Sequence, residues 1–162
     1  MIPVIDTNKS QTHLPIEQRD YTHLTGTVLA FDFGEKRIGV AMGETITKIA
    51  HPLETIDAEQ NEVKFAKIKA LSIAWQPVLL VVGLPTHLDG TPHAMTMLAK
   101  KFAQRLAGRF DLPVSMMDER LTSDEAELML KEQGVRGKSQ KLSIDQVAAQ
   151  IILQSYFDQL KN

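Results

Sequence analysis

The chain has 162 residues, of which 43% are hydrophobic and 23% are charged, a composition typical of one globular domain. It contains no cysteine, which excludes disulfides, a thiolate zinc site and a cysteine nucleophile, and favours a reducing, cytoplasmic location. The formal net charge of −2 excludes a globally basic nucleic-acid binder, so an anionic partner must be held by a local patch or through metal ions.

The first 25 residues are polar and show no apolar period. We predict a loose, flexible N-terminal extension over residues 1–25 and one domain over residues 26–162. The extension lacks the apolar core of a signal peptide. The longest aliphatic run of the chain, Val78–Val82, is far too short to cross a bilayer, so no membrane partner is expected.

Three strands are predicted to open the domain. Residues Thr27–Gly34 predict a strand, the sequence GEKR a tight turn, and Ile38–Gly43 an antiparallel partner strand. Residues Thr47–Ile56 can form a third strand, in which Pro52 favours a sheet edge or an irregularity.

After Asp57 the pattern alternates between helices and strands. A helix with a possible Asp57/Gln60 capping box is followed by Pro77–Pro85, a fully apolar strand of the buried parallel type. The remaining predicted elements are a helix over 92–109, a strand over 112–120, a helix over 122–134, a mobile GVRGKSQK loop and a final helix over 143–160. This order predicts an α/β fold whose mixed five-stranded sheet has three antiparallel leading strands, then parallel strands, and helices on both faces.

Asp32 is the first candidate for a functional carboxylate. Strand alternation places it on one face with Val28 and Ala30, where desolvation of a carboxylate is costly unless something compensates for it. Backbone N–H groups of the GEKR turn are the simplest compensation for a single aspartate at this position. A functional interpretation therefore needs further acids nearby.

The MMDER sequence supplies the second candidate. Alternation places Asp118 on one strand face and Glu119 on the other, so only one of them can face Asp32 while the strand continues. A structural alternative is that Asp118 simply pairs with Arg120 at the margin of the sheet.

Asp145 is the third candidate and lies in the first turn of the final helix, at the edge of its apolar stripe. The helix dipole stabilises an anion there by about 0.3–1 kcal/mol, which alone explains an aspartate at this position.

Together, the three acids predict a metal site. Strand C-termini and a helix N-terminus converge on one edge of such a sheet, and like charges so close repel unless cations lie between them. Carboxylate oxygens suit Mg²⁺ or Mn²⁺, and two such ions roughly 4 Å apart can activate a water and stabilise the leaving oxygen of a phosphodiester.

Basic residues lie beside these acids in the sequence. Each can be a solvated surface charge, but their placement also suits contacts to the phosphates of a nucleic acid. The candidates are Lys36, Arg37, Arg120, Arg136, Lys138 and Lys141.

Four stretches of the chain resemble the YqgF family in their order and approximate spacing. They are LAFDFGEKRIGVAMG, VVGLPTHLDG, MMDERLTSDEAE and SIDQVAAQIILQSYFD, and the resemblance covers residues 26–160. It implies a ribonuclease H-like fold, shared with the resolvase RuvC, and divalent-metal-dependent phosphodiester hydrolysis. The implied catalytic and metal-binding acids are Asp32, Glu119, with Asp118 as second choice, and Asp145.

The implied role is maturation of the 5′ end of 16S rRNA in a bacterial cytoplasm, with resolution of branched junction DNA as the older assignment. A DFG sequence before a hairpin also resembles the phosphate loop of actin-like ATPases and sugar kinases, but those need two such domains. A non-catalytic RNA-binding module of the same fold is a third possibility. The oligomeric state stays open, because junction cleavage needs two related sites whereas rRNA trimming needs only one.

Overall fold

The computed structural model describes residues 11–87, 89–121, 128, 132 and 144–160. The structure gives the bounds of five strands and three α-helices. The elements are β1 (Thr27–Asp32), β2 (Arg37–Glu44), β3 (Ile49–Asp57), α1 (Asn61–Trp75), β4 (Leu79–Leu84), α2 (Ala94–Phe110), β5 (Val114–Asp118) and α3 (Ile144–Gln159). Among the described helices none is long and apolar enough to cross a membrane.

The five strands form one mixed sheet in the order β3-β2-β1-β4-β5. Strand β2 is antiparallel to both β1 and β3, whereas β4 is parallel to both β1 and β5. The predicted mixed sheet is therefore confirmed. Its parallel centre explains why β4 is apolar along almost its whole length, since both of its faces are covered.

Helices cover both faces of the sheet, as predicted. Leu29 and Phe31 of β1 belong to a buried cluster that includes side chains of α1 and α2. Val28 and Ala30, which alternate with them, belong to a second cluster with α3. The face that carries Val28 and Ala30 continues to Asp32, so the alternation predicted from the sequence determines which helix lies above that acid.

Two local predictions need correction or refinement. The predicted Asp57/Gln60 capping box does not form, because Asp57 still belongs to β3 and the Gln60 side chain makes no cap hydrogen bond. Strand β3 is an edge strand, and its register with β2 shifts opposite Pro52, as expected for a proline in a sheet. Most of the predicted 122–134 helix and the whole GVRGKSQK loop lie outside the described residues, although Leu128 and Glu132 are helical.

The described part of the predicted extension, residues 11–25, is packed rather than loose. Ile16 and Tyr21 are each only 2% exposed, and they join the two clusters on opposite faces of the sheet. The Glu17 carboxylate lies 3.2 Å from Lys100 Nζ on α2. The packing of Ile16 and Tyr21 could not be predicted from the sequence, because isolated apolar residues in a polar segment form no periodic pattern. The domain boundary at residue 26 stays a prediction.

Candidate active site

Asp32 ends β1 at the sheet edge that α3 covers. It pairs in register with Gly39 of β2 and is largely buried. Burial, and secondarily the carboxylate of Asp145, raise the pKa of Asp32 to about 6. The strand thus holds a carboxyl group where its charged form is disfavoured.

Glu119 follows β5 directly and opens a short 3-10 turn, Glu119–Leu121. A Cβ atom on Gly83 of β4 would lie 3.3 Å from Glu119 Cδ and 2.6 Å from Ile152 Cδ1. The missing side chain at Gly83 therefore leaves the space into which the Glu119 carboxyl group fits, on the α3 side of the sheet. Burial raises the pKa of Glu119 to about 7, with smaller contributions from Asp32 and Asp118. Asp32 and Glu119 thus form a mutually repelling pair.

Asp118 is held in a different environment by Arg120. Arg120 Nη2 lies 2.6 Å from Asp118 Oδ2, Arg120 Nε lies 3.1 Å from both carboxylate oxygens, and the Arg120 backbone N–H donates to Oδ1. The hydrogen bond from Arg120 is the main cause that lowers the pKa of Asp118. Here the structure contains the ion pair that the sequence left as an alternative, and Glu119 is the acid that faces Asp32.

Asp145 lies in the first turn of α3, which approaches β2 very closely. A Cβ atom on Gly39 would lie 1.8 Å from the Asp145 carbonyl oxygen, so only glycine permits this contact. Because Gly39 is the register partner of Asp32, the first turn of α3 lies against the end of β1. Asp145 Oδ2 is 3.5 Å from Arg37 Nε.

The chemistry of the three acids fits a hard divalent cation, but their side chains do not form a finished metal site. Among the described residues, no three carboxylate or imidazole groups surround a common point as a metal ion requires. All donors are carboxylate oxygens. The pKa values of Asp32 and Glu119 are raised first by burial and second by neighbouring carboxylates, and a dication would offset both effects. The Asp145 carboxylate acts on Asp32 and also lies within ion-pair distance of Arg37.

The structure separates the predicted basic residues into three groups. Lys36, in the β1–β2 turn, and Arg37, the first residue of β2, are exposed beside the acids. Arg120 is engaged by Asp118, and its guanidinium packs on Gly90, where a Cβ atom would lie 2.7 Å from Nη1. Arg136, Lys138 and Lys141 lie outside the described residues.

The comparison with protein families decides the assignment. The family model "RuvX: Holliday junction resolvase" matches residues 26–159. The chain belongs to the RuvX family.

Curated relatives of this RuvX protein agree with that result, which confirms the resemblance to the YqgF family. Proteins named "Putative pre-16S rRNA nuclease" from Methylobacillus flagellatus and Dechloromonas aromatica are 62% and 65% identical. The alignments cover 83% and 82% of this chain and 92% and 91% of those proteins. The predicted enzyme class, a nuclease that hydrolyses phosphate esters, is confirmed.

Solved structures show the fold of this RuvX member. Thermus thermophilus RuvC in complex with a Holliday junction substrate has a TM-score of 0.57 at 13% identity, covering 82% of this chain and 93% of that one. The yeast mitochondrial Holliday junction resolvase Ydc2 has a TM-score of 0.53 at 10% identity, covering 94% and 85%. At such low identities the likeness establishes the ribonuclease H-like fold and nothing finer.

Lys64 is a residue near the site of this RuvX protein that sequence reasoning missed. It is 5% exposed, and its Nζ donates a hydrogen bond to the Glu35 carbonyl oxygen in the β1–β2 turn. Lysine is rarely buried without such a partner, so this contact ties the turn after Asp32 to α1. The sequence feature that could have predicted its burial is the position of this lysine next to Phe65, within the apolar pattern of α1.

Proposed function

We propose that this RuvX protein is a divalent-metal-dependent nuclease that cuts structured RNA and matures the 5′ end of precursor 16S rRNA in the cytoplasm. The observation that carries the proposal is the repelling pair of Asp32 and Glu119 at the sheet edge, with Asp145 of α3 beside it. The names of the close relatives support the RNA substrate.

The proposed metal ligands are Asp32, Glu119 and Asp145, which would hold two Mg²⁺ or Mn²⁺ ions. When bound, the ions activate a water and neutralise charge on the leaving oxygen. The protein's own part is to fix Asp32 at the end of β1 and Glu119 directly after β5. Arg37 lies within ion-pair distance of Asp145, so a substrate phosphate and Asp145 would compete for that guanidinium.

The proposed nucleic-acid contacts flank these acids. Lys36 and Arg37 are proposed to meet the phosphate at the cut, because Lys36 lies in the short connection after Asp32 and Arg37 opens β2. Lys64 fixes this turn through the Glu35 carbonyl. Arg120, Arg136, Lys138 and Lys141 are proposed as further phosphate contacts.

The direct test incubates the purified protein with labelled precursor 16S rRNA and with a four-way DNA junction, with Mg²⁺, Mn²⁺ or a chelator. We expect metal-dependent cleavage of the RNA near its mature 5′ end and none with the chelator. Preferential cutting of the junction would instead support the second candidate, a resolvase, which the family description favours. RNA binding without divalent ions and without cleavage would support a non-catalytic module.

A further inference from the structure

A groove runs between α1 and α2, on the sheet face opposite Asp32. It consists of three neighbouring cavities of about 150, 370 and 430 Å³. The first and second share Phe65, and the second and third share Lys69, Arg109 and Phe110. Both helices begin at the edge where β1 ends and run away from it, so the groove leads away from the candidate active site.

One side of α2 presents a row of cations to this groove. Lys101, Arg105 and Arg109 lie at positions i, i+4 and i+8, which places them about 6 Å apart along the helix. Like charges at this spacing destabilise a helix. Among the described residues, no carboxylate forms an ion pair with Lys101 or Arg105, and Glu62 is the only acid that lines the groove. Within the described part of the chain, Lys101 and Arg105 therefore have no ion-pair partner.

Aromatic rings form the floor beneath these cations. Phe33 and Phe102 stack with centroids 4.8 Å apart, and the Arg109 guanidinium lies 4.2 Å above the ring of Phe65. Apolar walls below a row of charges reduce screening by water and strengthen the attraction of the charges for an anion.

The groove starts at the turn that carries the proposed phosphate contacts. Phe33, which lines the first cavity, directly follows Asp32. Lys64 lines the same cavity and donates to the Glu35 carbonyl, next to Lys36. The turn that carries Lys36 therefore adjoins the first cavity of the groove.

We propose that this groove binds the sugar–phosphate backbone of a single-stranded RNA segment that flanks the cut, an inference that rests on the proposed nuclease function. The spacing of the cations on α2 is close to that of successive phosphates in one strand. A single row of charges between two helices suits one strand, whereas a duplex presents two. Lys101, Arg105 and Arg109 each neutralise one phosphate, and Lys69 lies across from Arg109.

The test measures RNA binding rather than cleavage, in an Asp32→Asn background that prevents turnover. A labelled RNA hairpin with single-stranded tails of increasing length is titrated by fluorescence anisotropy between about 50 and 200 mM salt. The groove variant is Lys101→Gln with Arg105→Gln, which spares Arg109 because it packs on Phe65. The control is Lys67→Gln, an exposed lysine of α1 that does not line the groove.

We expect affinity to rise with tail length and the double variant to lose most of that rise. Two lost phosphate contacts reduce the slope of log K against log salt by about 1.4, since single strands contribute roughly 0.7 per contact. Lys67→Gln leaves affinity and slope unchanged, and thermal melting checks that all variants are folded.

If the double variant keeps wild-type affinity and salt slope, the proposal that the groove binds RNA is wrong, even if the enzyme cuts precursor rRNA. If no substrate is cut but the double variant still loses tail-dependent affinity, the nuclease proposal fails while the groove stands. The two proposals therefore fail by different readouts.

Discussion

At the scale of single residues, the adjacent acids Asp118 and Glu119 have pKa values shifted in opposite directions. Asp118 is stabilised as an anion by Arg120, which lowers its pKa. Glu119, the next residue, is destabilised as an anion because it is buried beside Asp32, which raises its pKa to about 7. A buried, repelling carboxylate is costly for folding, so its presence suggests a function that a paired one does not need.

The free energy of unfolding of the metal-free protein should reveal this difference through its pH dependence. The folded-state pKa values of Asp32 and Glu119, about 6 and about 7, exceed the ordinary 3.8 and 4.5. Both groups therefore bind protons more tightly when folded, and their stabilising contribution, present at low pH, is lost as the pH rises through these values. Urea unfolding in a chelator should show this contribution falling between about pH 4.5 and 8.

Substitution of the two neighbouring acids should change that stability in opposite directions. Glu119→Gln removes a repelling charge and should raise the free energy of unfolding at about pH 8 by on the order of 1–2 kcal/mol, allowing for partial solvent screening. Asp118→Asn removes the partner of Arg120 and should lower it. A decrease in both variants would contradict the assigned environments.

Divalent ions should offset the loss of folding stability that Asp32 and Glu119 cause. Binding to the folded state alone raises the melting temperature in proportion to the logarithm of ion concentration. We expect Mg²⁺ or Mn²⁺ to stabilise the wild-type protein at about pH 8 and to have little effect on Asp32→Asn. Equal shifts in both proteins would show that the ions bind somewhere other than the proposed acids.

At the scale of elements, helix α3 links the sheet to the site. Its Gln154 side chain accepts a hydrogen bond from the Ala50 N–H and donates one to the Lys48 carbonyl, while Gln150 donates to the Ala50 carbonyl. These side-chain amides supply hydrogen bonds to backbone groups on the outer edge of β3, which pairs with no further strand. Helix position, and with it the position of Asp145, is therefore set partly by polar contacts.

Loss of one such contact should cost stability. Gln154→Ala leaves the Ala50 N–H and the Lys48 carbonyl without this partner in a buried place, so we expect a loss of about 1–3 kcal/mol in urea unfolding. Ser72→Ala is a suitable control, because its buried hydroxyl has no hydrogen-bond partner among the described residues. Equal effects of the two substitutions would contradict this role of Gln154.

The close approach of α3 to β2 offers a test that leaves every acid in place. In Gly39→Ala the new Cβ atom would overlap the Asp145 carbonyl oxygen, so the first turn of α3 must move. We expect cleavage to fall by about 10-fold or more, since small displacements of catalytic groups are costly.

A matched glycine of α2 serves as the control. Around Gly108 nothing lies within 4 Å of an added Cβ atom, so Gly108→Ala should keep its activity and gain about 0.5–1 kcal/mol of stability. Full activity in Gly39→Ala would show that the position of this turn does not matter for the reaction.

Particular residues show what could be predicted from the sequence. Alternation along β1 correctly predicted the face of Asp32, because a two-residue period is a local property. Alternation along β5 did not decide whether Asp118 or Glu119 faces Asp32. The space beside Gly83, which accommodates the Glu119 carboxyl group, lies on another strand and cannot be read from β5 alone. The contact between Lys64 and Glu35 and the groove between α1 and α2 depend on helix placement, which no local pattern encodes.

At the scale of the whole molecule, the three candidate acids and the groove between α1 and α2 lie on opposite faces of one sheet. The acids lie on the α3 side, and the basic groove lies between α1 and α2, with the β1–β2 turn joining the two. Under the two proposals, a chain with a net charge of −2 would bind a polyanion through cations concentrated in one groove.

The most direct test of the account compares cleavage of labelled precursor 16S rRNA in Mg²⁺ by the wild type, Asp32→Asn, Glu119→Gln and Asp118→Asn. We predict that Asp32→Asn and Glu119→Gln lose activity by about 100-fold or more while remaining folded, and that Asp118→Asn stays within about 10-fold of the wild type. Wild-type cleavage by Asp32→Asn or Glu119→Gln, or loss of activity confined to Asp118→Asn, would contradict it.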